Sequence, residues 1–243
     1  MNPAASRITP PDKRKLVVAE GYHGVSDAWF RPEYWGDRAE PVSSGGRGGA
    51  WFIRRDAGNI VLRHYRRGGL MSRIAKETYF FSGFERARSV AEHRLLEQLN
   101  AAGLPVPEPV AAIVWRCRLF WYKAAILIKR IPGAVTFADC ESITNEHLWR
   151  TLGKVIRQFH DHGLDHVDLN CDNILVTDER IYLIDFDRCR LVTASDNKPD
   201  SPWRQKNLSR LRRSVKKRCT HLSDEQRQAY WDVLLHAYEY EER

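Results

Sequence analysis

Apolar positions recur along the chain with two different periods, and the switches between them outline the fold. From Ser43 a glycine cluster runs into Ala50-Trp-Phe-Ile53, the pattern of a turn opening onto a strand. Asp56-Ala-Gly58 marks the next turn, and Asn59–Arg63 the next strand, followed by a basic connector, His64-Tyr-Arg66-Arg67-Gly68-Gly69. Between Glu85 and Leu99 the period changes. Ala91, Leu95, Leu96 and Leu99 fall on one face of a helix that Asn100 and Gly103 end and that Pro105, Pro107 and Pro109 forbid from continuing. Ala111–Trp115 and Ala124–Ile128 read as strands. Beyond Pro132-Gly133, Leu148, Leu152, Val155, Ile156 and Phe159 predict a strongly amphipathic helix stopped at Gly163. Leu208, Leu211 and Val215 predict another helix within Trp203–Arg218.

The order is strands, helix, strands, helix, a loop with a short hairpin, then helices, with no internal repeat to compete with it. An α+β fold in two lobes follows. Residues 1–14, Pro-rich and polar, are expected to form a loose arm. Residues 15–130 make a small β-rich N-lobe, and residues 131–243 a reduced, mainly helical C-lobe.

Composition narrows the setting. No stretch of the 243 residues approaches the ~20 consecutive apolar residues of a membrane span. The beginning of the chain lacks the apolar core of a secretory signal. Cys117, Cys140, Cys171, Cys189 and Cys219 are scattered, without a CxxC pair, so neither a disulfide framework nor a zinc site is expected, and a reducing compartment is. The net charge of +8 calls for an anionic partner: nucleic acid, a phosphorylated substrate or an acidic membrane face.

The chemistry concentrates near residue 170. His166-Val-Asp168-Leu-Asn170-Cys-Asp172-Asn173 is followed, at the end of a short apolar run, by Asp185-Phe186-Asp187. A base, an amide and a carboxylate delivered by one tight loop and two short strands can hold Mg²⁺ against a nucleotide triphosphate while a hydroxyl is deprotonated. The two segments resemble the H-R-D-L-x-x-x-N and D-F-G motifs of protein-kinase-like enzymes. That resemblance implies a protein-kinase-like fold using ATP and Mg²⁺, with Asp168 as the catalytic base, Asn173 and Asp185 as metal ligands and His166 as a pin for the loop. Asp187 stands where the motif has glycine. It is either a solvated carboxylate or a second metal contact or partner for Arg188 or Arg190.

The nucleotide-binding parts are less regular. Gly46-Arg47-Gly48 supplies the close backbone approach that cradling a phosphate requires, although a plain hairpin turn has the same composition. No G-x-x-x-x-G-K-[ST] exists, which excludes a P-loop. Where kinases carry V-A-I-K, this chain has Ile60-Val-Leu62-Arg63. Arg63 can fork onto phosphate and a carboxylate at once, with Glu92 as that carboxylate. Lys76 is the rival for the cation's role.

The remaining cations gather late. Arg204, Lys206, Arg210, Arg212, Arg213, Lys216, Lys217 and Arg218 have no acid among them, which favours an anionic surface partner for this helix over a merely solvated face.

With these residues in view, the chain resembles the bacterial 3-deoxy-D-manno-oct-2-ulosonic acid (Kdo) kinases. The resemblance runs through Leu62-Arg63-His-Tyr-Arg66-Arg67-Gly68-Gly69, Leu104-Pro-Val-Pro-Glu-Pro-Val, Asp165–Asn170, Ile184–Arg188 and Asn207–Ser214. It implies ATP-dependent phosphorylation of the 4-hydroxyl of Kdo on a Kdo-lipid A precursor, in lipopolysaccharide core biosynthesis. It also implies a peripheral protein on the anionic cytoplasmic face of the inner membrane. Arg66, Arg67, Arg210, Arg213, Lys216 and Lys217 are the candidate acceptor or membrane contacts. Related enzymes phosphorylate core heptose instead, and a non-catalytic kinase-like binding module is the remaining alternative. Asn170 stands where serine/threonine protein kinases carry Lys, and no A-P-E follows Asp185, both of which suit a non-protein acceptor. Neither a nucleic-acid partner nor an obligate protein partner is expected.

Overall fold

The computed structural model describes residues 13–42, 49–66, 78–118 and 120–240. It divides into two compact units. One takes the chain up to Glu97 together with Glu108–Arg130; the other takes Gln98–Pro107 and everything from Ile131. Arg14, assigned to the arm by the sequence, is the first residue of a strand and pairs with Trp115.

The first unit is built on one antiparallel sheet. Its strands are β1 (Arg14–Val18), β2 (Ala39–Pro41), β3 (Ala50–Ile53), β4 (Ile60–His64), β5 (Tyr79–Phe80), β6 (Pro109–Arg118) and β7 (Trp121–Lys129). They lie in the order β1-β6-β7-β4-β3-β2, with β5 also paired to β7. The pleat sends alternate side chains of β4 to opposite faces. Ile60 and Leu62 are fully buried among Phe30, Trp35, Ile113 and Leu127. Arg63 therefore points to the other face. The aromatic segment that supplies Phe30 and Trp35, a 3₁₀ turn at Asp27–Phe30 and the short helix α1 (Pro32–Trp35), escaped the sequence reading. It is anchored by Trp35 Nε1 donating to the Trp29 carbonyl (2.9 Å) and by His64 Nε2 donating to the Phe30 carbonyl (2.8 Å).

Helix α2 (Arg88–Ala101) begins three residues later than the periodicity suggested, because Phe84–Arg86 forms a 3₁₀ turn. Ser89 Oγ ties it to β6 through the carbonyl of Ile113 (2.9 Å). Val90, Glu92, Leu95, Leu96 and Leu99 are buried, whereas Ala91, read as part of the inward face, is exposed. A methyl group adds too little burial to set a helix's rotation against Val90 and three leucines.

The second unit holds β8 (Val135–Thr136), α3 (Glu146–Asp161), β9 (Leu164–Asp165), β10 (Ile174–Val176), β11 (Ile181–Leu183), β12 (Arg190–Leu191), α4 (Pro202–Arg218) and α5 (Asp224–Glu239). Asn145 caps α3 by accepting from His147 N (2.9 Å), and α5 starts with a capping box between Ser223 and Gln226. Gly163, φ 88°, turns the chain out of α3 where an L side chain would be strained. The helices α3 and α5 pack so closely at Gly153 that a β-carbon there would run into the carbonyl oxygen of Leu234. Strands β10 and β11 form a hairpin with Ile174 opposite Leu183, and β9 pairs with β12. These short ladders flank the loop from Asp165 to Asn173.

Candidate active site

The loop from Asp165 to Asn173 is held by its own amides. Asn170 Oδ1 accepts from the backbone N–H groups of Asp172 (2.9 Å) and Asn173 (3.1 Å), capping a single 3₁₀ turn. Its Nδ2 donates to the Asp168 carbonyl (2.9 Å), and Asn173 Nδ2 donates to the same oxygen (2.9 Å). Asn170 is thus committed to loop geometry. Two amides fix the backbone of Asp168, while its side chain stays half exposed and able to meet a hydroxyl.

His166 locks this loop to the next segment. Its Nε2 donates to the Ile184 carbonyl (3.0 Å), and its ring packs on Phe186 with centroids 5.2 Å apart. Burial pushes its pKa below the ordinary value, so the ring is neutral and acts as a fixed donor. From α4, Asn207 Oδ1 accepts from His166 N (2.9 Å), and Asn207 Nδ2 donates to Asp165 (3.1 Å).

Asn173 connects to the second acidic segment through its main chain, which accepts from Ile184 N (3.0 Å). Asp185 follows directly, in the left-handed region at φ 61°, which Asp tolerates better than most residues. With its Nδ2 committed to Asp168, Asn173 turns Oδ1 away. Amide and carboxylate oxygens are the hard donors that suit Mg²⁺. Among the described residues no group of three or more His, Cys, Asp or Glu could hold a metal alone. An amide oxygen from Asn173 and a carboxylate from Asp185 would suit an ion that takes its other ligands from phosphate and water. Arg190, one suggested partner of Asp187, turns instead to Asp165, at 3.3 Å.

In the first unit the structure brings Arg63 and Glu92 together. Arg63 Nη2 pairs with Glu92 Oε1, Tyr65 Oη donates to Glu92 Oε2, and the guanidinium lies 5.1 Å from the centroid of the Tyr65 ring. Glu92 is 3% exposed. Tyr65 was missed by the sequence reading; an aromatic two residues beyond Arg63, just past the end of β4, was the available signal. Arg66 is described and exposed. Gly46, Arg47, Gly48, Arg67 and Lys76 lie outside the described residues.

The cations of α4 separate into distinct groups. Arg204, counted above with the surface cations, is 2% exposed and bonds Asp161 Oδ1 (2.9 Å), the His160 carbonyl (3.0 Å) and Asn197 Oδ1 (2.7 Å). It is part of the packing, since a buried guanidinium needs such partners. Arg218 pairs with Asp172 (2.8 Å), and Arg210 Nη1 reaches Asp168 Oδ1 at 3.2 Å. Arg213, Lys216 and Lys217 are exposed.

Residues 32–238 match the model of the lipopolysaccharide kinase (Kdo/WaaP) family. The chain belongs to that family. A relative in Xylella fastidiosa strain M12, a 3-deoxy-D-manno-octulosonic acid kinase, is 47% identical over 77% of this chain and 74% of its own. Another of that name, from Xanthomonas campestris pv. campestris strain B100, is 42% identical over 86% and 83% of the two chains. Among solved structures, WaaP in complex with acyl carrier protein aligns over 93% of this chain and 88% of its own. Its TM-score is 0.55 and its identity 15%. A glucosamine kinase in complex with glucosamine, ADP and inorganic phosphate covers 93% and 68%, with a TM-score of 0.54 at 11% identity. The fold is kinase-like, and the protein is a phosphotransferase of the lipopolysaccharide kinase family.

Proposed function

We propose that this protein transfers the γ-phosphoryl group of ATP to the 4-hydroxyl of Kdo on a Kdo-bearing lipid A precursor. The observation that carries the reading is the conjunction of relatives named as Kdo kinases with a loop in which Asn173 bonds the Asp168 carbonyl and joins its own carbonyl to Ile184, next to Asp185.

In this reading Asp168 accepts the proton of the attacking hydroxyl and orients its lone pair. Asn173 Oδ1 and the Asp185 carboxylate hold Mg²⁺, which when bound neutralises charge on the nucleotide phosphates. His166 and Asn207 keep base and ligands in register. The first unit supplies nucleotide binding, for which Arg63, aimed by Glu92 and Tyr65, and the glycines of Gly46-Arg47-Gly48 are the candidate phosphate contacts. The second unit supplies the chemistry and the acceptor contacts.

Peripheral attachment to the anionic cytoplasmic face of the inner membrane completes the proposal. Its support is the row of exposed cations on α4, and no helix among the described residues is long and apolar enough to cross a membrane. Transfer of labelled phosphate from ATP to a Kdo-bearing lipid A precursor, beside a heptose-bearing core, tests the function. Label on the 4-hydroxyl of Kdo supports it, and label on heptose alone refutes it.

A further inference from the structure

Lys206, Arg210 and Arg213 recur at helical spacing on α4 and so form one stripe. The stripe lines a cavity of about 460 Å³ that Arg190, Asp165 and Trp203 also line. Four cations face this space with one carboxylate, and that carboxylate is already bonded to Arg190 (3.3 Å) and to Asn207 Nδ2 (3.1 Å). Among the described residues Lys206 and Arg213 form no ion pair. Arg190 and Arg210 already face Asp165 and Asp168, so the charges without a protein counter-charge are those of Lys206 and Arg213, and an anion brought from outside relieves them.

The cavity is tied to the chemistry through Arg210, which belongs to its lining and also contacts the candidate base Asp168 at 3.2 Å. A hydroxyl within hydrogen-bond reach of Asp168 therefore carries its sugar ring against Arg210, with the cavity beyond. The half-buried indole of Trp203 offers an apolar surface for the C–H face of such a ring.

We infer that this cavity seats the carboxylate of the acceptor sugar, held by Lys206, Arg210 and Arg213 with Arg190 beside them. The inference rests on the proposed function and makes it more specific. Kdo is an acid, whereas a heptose carries no ring carboxylate. A site built around an anion rejects the neutral analogue by leaving its cations without a partner. The stripe is then what selects the acidic sugar and sets which hydroxyl reaches Asp168.

The test uses the full chain and a water-soluble, phosphate-free Kdo glycoside, compared with the same glycoside whose carboxylate has been converted to the amide. Lys206→Gln/Arg213→Gln removes two charges that bond nothing else in the protein. It is expected to raise KM for the acid glycoside at least about tenfold while leaving KM for ATP and the melting temperature unchanged. Wild type is expected to lose a similar factor on the amide, and the double variant to lose little more. Unchanged KM for the acid glycoside overturns the subsite, as does an equal loss by the variant on acid and amide. An effect that emerges only on a phosphorylated acceptor assigns the cavity to phosphate and also overturns the carboxylate assignment. Wild type that phosphorylates no Kdo acceptor at all overturns the proposed function, and this subsite with it.

Discussion

Arg210 Nη1 lies 3.2 Å from Asp168 Oδ1, so a residue of α4 touches the carboxylate that the loop presents. Both side chains are about half exposed, and such pairs contribute only ~0–1 kcal/mol to stability. Arg210→Ala should therefore shift the melting temperature by no more than about 2–4 °C. It should lower kcat/KM for the acceptor roughly tenfold or more, the loss of a charged contact to the substrate, with KM for ATP little changed. Calorimetry beside steady-state kinetics checks both halves. Loss of ATP affinity equal to the loss on acceptor would refute the assignment.

Asp168→Ala should lower turnover by ~10²–10⁴-fold, the usual worth of a positioned base, while ATP still binds. Asp185→Asn keeps a residue type that tolerates φ 61°, so the fold should survive. Turnover should then demand far more Mg²⁺. A folded Asp168→Ala protein with near-normal turnover, or an Asp185→Asn protein with the wild-type Mg²⁺ titration, would remove that residue from the mechanism.

Arg63, Glu92 and Tyr65 form one bonded cluster, so their substitutions should not add. Arg63→Ala and Glu92→Gln should each raise KM for ATP, and the double variant should do little further damage. A coupling of ~0.5–3 kcal/mol is expected from the double-mutant cycle. Independent effects would mean that Glu92 does not aim Arg63.

His160 makes stability sensitive to acid. Burial first, and the nearby Arg204 guanidinium second, hold its pKa down at about 3, against an ordinary value of 6.5. The unfolded chain therefore takes up this proton first. The stability contributed by neutral His160 is complete above about pH 6.5 and is lost as pH falls from there toward 3. At pH 5 the loss is about 2 kcal/mol. Melting curves from pH 7.5 to 5 should fall steeply in wild type and less steeply in His160→Gln. A residual slope is expected from His166, whose pKa is also held down by burial. Parallel curves for the two proteins would show that His160 is not the sensor.

Lys216 and Lys217 are exposed and lie beyond the cavity stripe. Replacing both with Gln should weaken binding to anionic vesicles by roughly thirtyfold, at ~1 kcal/mol per cation near an acidic surface. Salt should mimic the change in wild type. Turnover on a soluble acceptor should stay the same. Vesicle co-sedimentation with matched kinetics decides, and unchanged vesicle binding would leave these lysines as ordinary solvated residues.

What the sequence made legible was mostly local. Asp168, Asn173 and Asp185 sit on one loop and one hairpin, where spacing alone constrains position. Arg63 could be set against Glu92 because the pleat of β4 and the turn of α2 each have a fixed period. The contacts that escaped join distant segments. Nothing near Arg204 in the sequence announces that it is buried against Asp161, nor near Arg210 that it meets Asp168. An unbroken row of cations reads as one surface, yet helix geometry gives neighbouring positions different surroundings. Strands of two residues, such as β9 and β12, are too short for any period to register. The aromatic cluster Trp29, Phe30 and Trp35 was visible as composition, but without alternation it gave no sign of the sheet core it packs against.

Asn173 spends its side-chain nitrogen on the Asp168 carbonyl and its own carbonyl on Ile184, one residue before Asp185. Asp168 and the segment that carries Asp185 are therefore joined on a common spindle. A strain that rotates one must rotate the other, so the site is expected to open and close as a unit rather than lose a single component. Amide exchange at Ile184 and turnover should then fail at the same denaturant concentration, well before the helices behind them give way.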